Sequence, residues 1–593
     1  MRKTVVAFPG PILGRILFLV LLIAATPALA AESYPLHPDS QTQPGVPEGR
    51  VESYRFTSSR VFPGTERDYF VYVPAQYDAD KPAALMVFQD GGGYFKRNGN
   101  WRVPVVFDNL IHKGDMPVTI AVMVNPGIVP GGDDAQSRFN RSYEYDSVSD
   151  RYATFLIDEL LPVVKQKYNI TDDPNLRGIG GSSSGAIAAF GVAWHRPDQF
   201  RRVFSTVGTY VGLRGGNEYP TLVRKTEPKP LRVFLQDGRN DLDIYGGSWW
   251  NANQTMLSAL QWAGYQVKNQ WGDGGHNGKH GAAIMPDALR WLWQDVDKPI
   301  EVNIGEHPEL KDRLIPGETW ELVSQGHRYT EGPAVAPDGS VYFVDGPAGE
   351  IWKVNADGKG ASKFVDGISG VSGLMFDAKG NLYAARNGER KISRIAPDGT
   401  QTVIASDVGC NDLVVLDDGI YFTDPLKPAV WYLPHGGKPA VVAGGKSDAI
   451  PGKPNGIAVT PDKRFLVVVD AVGRYVWSYR IEQPGKLSFG QPYYYVHQPQ
   501  DELNTGADGV TMAKDGSLLV ASSLGVQVFD QPGRVHVIID RPHSQGRLSN
   551  CVFAGPDAKT LYVTCGTRVF RRKTQIEGFA PWQDSVVPAK PRL

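Results

Sequence analysis

The sequence predicts a two-domain chain, a mostly parallel α/β unit followed by an all-β six-bladed propeller. Three observations predict it. At 593 residues the chain exceeds the size at which a single core keeps growing. Up to about residue 298, short apolar runs alternate with helical patterns, as in a sheet whose strands are joined by crossover helices. Beyond that point the helix signal fades, and a unit of Gly/Asp turn plus apolar strand recurs six times.

In the first half, Tyr54 to Pro74 predicts two strands around a turn at Phe62-Pro63-Gly64-Thr65. Ala83 to Gln89 and Val118 to Val124 are continuous apolar runs of strand length, and Arg151 to Lys167 has helical periodicity. Asn175 to Gly180 predicts a short buried strand, Ala186 to Trp194 a helix, Leu231 to Gln236 a strand and Pro286 to Asp295 the last helix. In the second half, the units at Pro337-Asp338-Gly339, Ala378-Lys379-Gly380, Asp417-Asp418-Gly419, Pro461-Asp462-Lys463, Lys514-Asp515-Gly516 and Pro556-Asp557-Ala558 each lead into an apolar strand. Their third residues are separated by 41, 39, 44, 53 and 42 positions. That spacing is near the ~40 to 45 residues of a four-stranded blade, with a longer connection between the fourth and fifth. The expected boundaries are 1–30 leader, 31–48 linker, 49–298 α/β domain, 299–317 connector, 318–580 propeller and 581–593 tail.

Composition narrows the function. The chain is 41% hydrophobic and 21% charged with a net charge of -1, and without a basic tract it is not expected to bind nucleic acid. Arg2, Lys3 and Arg15 precede the apolar run Ile16 to Ala25 and the small-residue site Ala28-Leu29-Ala30, the pattern of a secretory signal peptide cut before Ala31. The run is shorter than the ~20 residues that span a bilayer. The expectation is therefore a periplasmic or secreted protein with no stable membrane span after cleavage. Cys410, Cys551 and Cys565 are too few for a disulfide scaffold. Cys551 and Cys565 flank an expected hairpin at 556–559, where buried free thiols are favoured over a register-dependent bridge.

Gly181-Ser182-Ser183-Ser184-Gly185, between an expected strand and helix, has the form of a nucleophile elbow that exposes Ser183. A serine nucleophile needs an acid, a base and oxyanion donors, and the chain supplies them in the order Ser, Asp, His. Asp241 is the first choice of acid and Asp237 its competitor; His276, in Gly274-Gly275-His276-Asn277-Gly278, is the base and His280 the alternative. Asp90-Gly91-Gly92-Gly93 follows a strand where an oxyanion loop belongs, so amides at Gly91 or Gly92 join that of Ser184. Trp249, Trp250 and Trp271 are either cleft or core. Together these motifs resemble the enterochelin-esterase and feruloyl-esterase branch of the α/β-hydrolases over residues 50 to 297. The resemblance implies ester hydrolysis without a cofactor in this domain.

Glu331-Gly332-Pro333, Asn411-Asp412-Leu413, Pro454-Asn455-Gly456 and Ala507-Asp508-Gly509 each precede an apolar strand and a repeat turn. If those strands are innermost in their blades, Glu331, Asn411, Asn455 and Asp508 converge on the central channel, where two carboxylates and two amide oxygens suit a hard divalent cation. Asn and Asp are also ordinary turn residues. The four together resemble the gluconolactonase and regucalcin family over about 318 to 573, with Asn411 to Pro425 an especially similar stretch. The resemblance implies one divalent metal, calcium first, with zinc, manganese or magnesium as alternatives, held by Glu331, Asn411, Asn455 and Asp508, and Asp508 as general base. Where regucalcin has an arginine, this chain has Gly409. The expected whole is an exported hydrolase of small, sugar-derived esters or lactones. Its alternatives are a propeller lactonase with a degraded esterase half, and an esterase carried to a polymer by a binding propeller.

Overall fold

The computed structural model describes residues 33–304, 307–444, 450–542 and 546–591; the expected leader lies outside them. The first half is built on eight strands: β1 (Arg50–Phe56), β2 (Arg67–Val73), β3 (Ala84–Gln89), β4 (Thr119–Val124), β5 (Arg177–Ser182), β6 (Arg202–Thr206), β7 (Arg232–Gly238) and β8 (Gln266–Gly272). They lie in the order β1-β2-β4-β3-β5-β6-β7-β8. β2 runs antiparallel to β1 and β4, and from β4 to β8 every pairing is parallel. Strands β3 and β4 are buried at every position, which is why they read as unbroken apolar runs rather than as alternation.

Helices α1 (Val103–Lys113), α2 (151–165), α3 (Ser184–His195), α4 (Tyr219–Lys225), α5 (Trp249–Trp262) and α6 (Lys279–Trp293) accompany the sheet. The middle of α2, Leu156–Leu160, is wound as a π-helix. Two expectations are corrected here. The last helix starts at Lys279 rather than Pro286, because His280, Ala282, Ile284 and Met285 already pack into the core, and Pro286 is carried inside the helix. The strand expected from Asn175 starts at Arg177, since Pro174–Leu176 forms a single tight turn first.

The expected linker is likewise no free tether. Asp39 is buried and pairs with Lys113 and Arg290, Asn109 Nδ2 donates to the Asp39 and Gln41 carbonyls, and Tyr34 stacks on His280 at 4.3 Å. Residues 33–48 thus clamp α1 to α6.

The second half forms six sheets of four or five strands, arranged as the blades of a propeller. Five open on the strands Thr330–Val335, Gly373–Phe376, Leu413–Leu416, Pro454–Val459 and Val510–Ala513. The sixth is closed from both ends of the domain. Glu321–Gln325 pairs antiparallel with Arg568–Lys573, outside Thr560–Cys565 and Leu548–Ala554. The repeat signal comes from the first hairpin of each blade, and in five of the six Asp338, Asp377, Asp462, Asp515 and Asp557 accept a backbone N–H two residues on. The longer fourth spacing is taken up by the hairpin Tyr475–Gln483 with Lys486–Tyr495 and by the segment that follows it. All three cysteines are buried and free, Cys551 facing Val563 across its hairpin rather than Cys565.

The halves are joined by more than a connector. Arg572 holds Glu227 through two bonds of 2.8 and 3.1 Å, Arg151 meets Asp501 at 2.8 Å, Lys229 meets Asp540 at 2.9 Å and Arg541 meets Asp150 at 3.3 Å. Thr226 and Ile538 form a parallel bridge across the boundary. Arg572 is only 2% exposed, and Glu227 is the carboxylate paired with its buried guanidinium. Glu227→Gln leaves that guanidinium buried against a neutral partner and is expected to cost about 2 kcal/mol or more. A urea titration checks it: the unfolding midpoint falls and the transitions of the two halves move apart.

Candidate functional site

The parallel strands all end on one edge of the sheet, and there the loops bring distant residues together. β5 passes into α3 through Ser183, whose backbone is held at φ 60°, ψ -124°, an uncommon conformation for a side-chain-bearing residue. Gly181 permits this turn because a Cβ there would lie 2.4 Å from the Gly185 carbonyl carbon. Ser183 Oγ lies 2.7 Å from His276 Nε2, and His276 Nδ1 lies 2.7 Å from Asp241 Oδ1. The structure therefore brings Ser183, His276 and Asp241 into one hydrogen-bonded line.

The neighbours set the orientation of that line. Thr209 Oγ1 is 3.3 Å from Ser183 Oγ and accepts from Trp249 Nε1 at 3.2 Å. Trp249 is buried and presents its ring edge-to-face to His276 at 5.5 Å. Trp250 pairs instead with Trp271, centroids 5.5 Å apart, so of the three tryptophans only Trp249 adjoins the serine. His280 is buried, bonded to Gln236 and stacked on Tyr34, and takes no part in the line.

Asp237 is fully buried, accepts from the Gly238 amide at 2.7 Å and from Asn253 Nδ2 at 2.9 Å, and stands beside Asp241. Burial, with the hydrogen bond and charge of Asp241, pushes its carboxyl up to about 9. Burial raises Asp241 too, but hydrogen bonds from His276 and Asp237 outweigh it and hold that carboxyl below its ordinary range.

The glycine loop forms a tight turn, Gly91–Gly93, entered through Asp90 at φ 58°. The Gly92 amide donates to Asn125 Oδ1 at 2.8 Å. It is thus committed elsewhere, which corrects its expected place as an oxyanion donor. The Gly91 amide, first in its turn, and the Ser184 amide, first in α3, have no partner within their own turns. The α3 N-terminus adds its positive dipole end beside Ser183. Asp90 is fixed by both nitrogens of Arg141 at 2.8 Å. Neither Arg141 nor Asn125 carries a sequence signal, since each reaches the glycine loop only through the fold.

In the propeller, Glu331 and Asn455 lie in inner strands, and Asn411 and Asp508 stand two residues before theirs. The pairing slips between Glu331 and Ala334 and between Pro454 and Ile457, bulges that re-aim side chains at a strand end. Gly456 and Gly509 allow the inner strands to crowd: a Cβ on the first would meet the Asp508 carbonyl at 2.2 Å, and on the second the Asn550 side chain at 1.9 Å. Burial and the Asp508 charge push Glu331 well up. Burial also pushes Asp508 up, to about 6, against the pull of Arg547 and a hydrogen bond from Asn455. Arg547 reaches Asp508 at 3.2 Å with half its side chain in solvent.

Asn411 is held by its backbone, its amide donating to Thr423 and its carbonyl accepting from Ser372 Oγ. Asp412, next to it, is buried, its carboxyl pushed by burial up to about 7. Among the described residues no three His, Cys, Asp or Glu side chains gather at one point. What comes together is the pair of mutually repelling carboxylates of Glu331 and Asp508, with the Asn455 side chain bonded to Asp508. That donor set fits a hard cation.

One family model, described as "Esterase: Putative esterase", matches residues 59–291. Another, the "SMP-30/Gluconolactonase/LRE-like region", matches 312–406 and 405–567. The chain carries one domain of each family. The gluconolactonase of Zymomonas mobilis is 24% identical over 312 residues, 46% of this chain and 85% of that protein. The iron(III) enterobactin esterase of Dickeya dadantii is 31% identical over 150 residues, 23% of this chain and 33% of that protein. Its Escherichia coli K12 namesake is 25% identical over 276 residues, covering 46% and 64%.

The chain therefore spans less than two thirds of the length of these esterase relatives. Among solved structures, a gluconolactonase from Xanthomonas campestris aligns over 45% of this chain and 92% of its own at 23% identity and a TM-score of 0.39. The enterobactin esterase of Shigella flexneri aligns over 44% and 63% at 22% and 0.35.

The esterase domain's elbow gives a direct test. Gly181→Ala forces its Cβ into the Gly185 carbonyl, so α3 must shift away from Ser183. Labelling of Ser183 by a fluorophosphonate probe is expected to slow by ~10-fold or more while the far-ultraviolet circular dichroism is kept.

Proposed function

We propose that the chain is a two-site hydrolase, a Ser-His-Asp carboxylic ester hydrolase joined to a metal-dependent, lactonase-like propeller. The line from Ser183 through His276 to Asp241, with 2.7 Å at each link, is the observation that carries the first site. In this reading His276 Nε2 takes the Ser183 proton as Oγ attacks the ester carbonyl, and then gives it to the leaving alkoxide. The amides of Gly91 and Ser184 receive the developing oxyanion. Asp241 keeps its charge throughout, fixing the tautomer of His276 and stabilising the imidazolium. Water activated by the same histidine then releases the acid.

In the gluconolactonase-like domain, Glu331, Asn411, Asn455 and Asp508 would hold a divalent cation, with calcium favoured by the all-oxygen donors and zinc, manganese or magnesium as alternatives. Such an ion polarises a lactone carbonyl when bound. Asp508 serves as the base that takes a proton from water, its raised carboxyl suited to work near neutral pH. The substrates proposed are small esters and lactones of sugar-derived acids, and the leader-like N-terminus supports action in the periplasm or outside the cell.

The two sites are expected to separate cleanly. Ser183→Ala lowers p-nitrophenyl ester turnover by at least ~10³-fold and leaves gluconolactone turnover unchanged. Asp508→Asn does the reverse. Loss of both activities in either variant contradicts two independent sites.

A second expectation concerns pH. Asp508 is raised to about 6 from an unfolded carboxylate value near ~4. Without metal, its contribution to stability is whole below that lower value and is lost as pH climbs through the folded value. A cation offsets the loss only where the carboxylates are ionised. Calcium should raise Tm more at pH 7.5 than at pH 5 in thermal melts, and Asp508→Asn should shrink the difference.

A further inference from the structure

Asp237 and Asp241 stand four residues apart at the end of β7, and the reaction above uses only one of them. Asp241 Oδ1 takes both of the bonds that define its role, from His276 at 2.7 Å and from the Leu242 amide at 2.6 Å. Its other oxygen is buried and, the Asp237 carboxyl aside, meets no N–H or O–H donor among the described residues. A bare carboxylate oxygen in a buried position is costly. What stands within hydrogen-bonding reach of Asp241 is the Asp237 carboxyl. Two ionised carboxylates cannot bond each other and repel strongly out of water, whereas one proton between them removes the repulsion and supplies the missing donor.

The surroundings decide which group keeps the proton. Asp241 faces His276, which becomes cationic during the reaction. Asp237 is surrounded by neutral groups: the Gly238 amide, Asn253 on α5, and Trp271 opposite it in β8. Further out on β7 and α6, Gln236 and His280 bond each other, and Arg239 beyond the strand end is paired with Asp273. Among the described residues no Lys or Arg forms an ion pair with either aspartate. Asn253 Nδ2 also serves the Gly208 and Trp249 carbonyls, so its two hydrogens are shared among three acceptors.

We propose that Asp237 is a positioning residue that stays a neutral carboxylic acid and donates a hydrogen bond to Asp241 Oδ2, turning Oδ1 of that carboxylate toward His276. No proton leaves Asp237 during turnover. The effect on catalysis rests on the ester-hydrolase reading; the shared proton itself does not.

Two measurements on the full chain test it. In ester kinetics, Asp237→Ala removes the donor and lowers kcat by about 10- to 100-fold with KM unchanged. Asp237→Asn, which keeps a neutral N–H donor of the same shape, restores kcat to within about threefold of wild type. The second readout needs no activity: an infrared difference spectrum at pH 7, wild type minus Asp237→Asn, shows the carbonyl stretch of a protonated carboxylic acid. An equal loss in Asp237→Asn and Asp237→Ala overturns the proposal, as does a wild-type spectrum without the acid band. If the wild-type chain hydrolyses no ester and its Ser183 resists fluorophosphonate, the ester-hydrolase reading fails, and the infrared result alone decides where the proton sits.

Discussion

The first half of the molecule is organised around one strained backbone position. Ser183 adopts φ 60° only because α3 starts immediately after it and because the flanking glycines let strand and helix come within contact distance. The strain is offset by what surrounds it: the Ser183 amide donates to Thr206 on β6, and β5 lies between β3 and β6 with buried residues on each side. A fully packed parallel sheet supplies the rigidity that such a turn requires. The same sheet sends Asp90, Thr209, Asp241 and His276 to one edge, so strained serine and partners share a single source of order.

Polar burial is handled differently in the two halves. The esterase domain balances some buried charge by direct pairing, as in Arg67 with Glu144, whose side chains are wholly enclosed and bonded at 2.7 Å. In the propeller, two carboxylates, Glu331 and Asp508, are brought together, with the half-exposed Arg547 beside Asp508. Like charges brought together cost stability, which is the physical ground for the cation site proposed there.

Much of this was legible because the decisive signals are local. Five of the six repeat turns are closed by an Asp of their own, so each reveals its blade as a self-contained hairpin device. The elbow, Asp241 and His276 are readable since each terminates a strand in fixed chain order. What sequence could not give depends on distant pairing. Asp39 meets Arg290 across 251 positions, which turns an apparent linker into a clamp. Gly92 is diverted by Asn125, 33 residues away, and nothing near either residue announces it. Pro286 is the strongest local start signal in α6, yet the buried face upstream outweighs its missing N–H and the helix begins at Lys279.

The closure of the sixth blade also has a temporal side. Glu321–Gln325 has no partner strand until Arg568–Lys573 has been made, so the ring is complete only after nearly the whole chain exists. The esterase domain, whose last helix ends at Trp293, precedes it entirely during synthesis. Its surface around Glu227 and Arg151 is therefore in place before the blades that dock on it, while the open edge of Glu321–Gln325 waits as an unpaired strand, the kind of element most exposed to wrong pairing. A fold that ties a strand near its end to its first makes the propeller depend on its late residues, and gives the earlier domain the part of a preassembled platform.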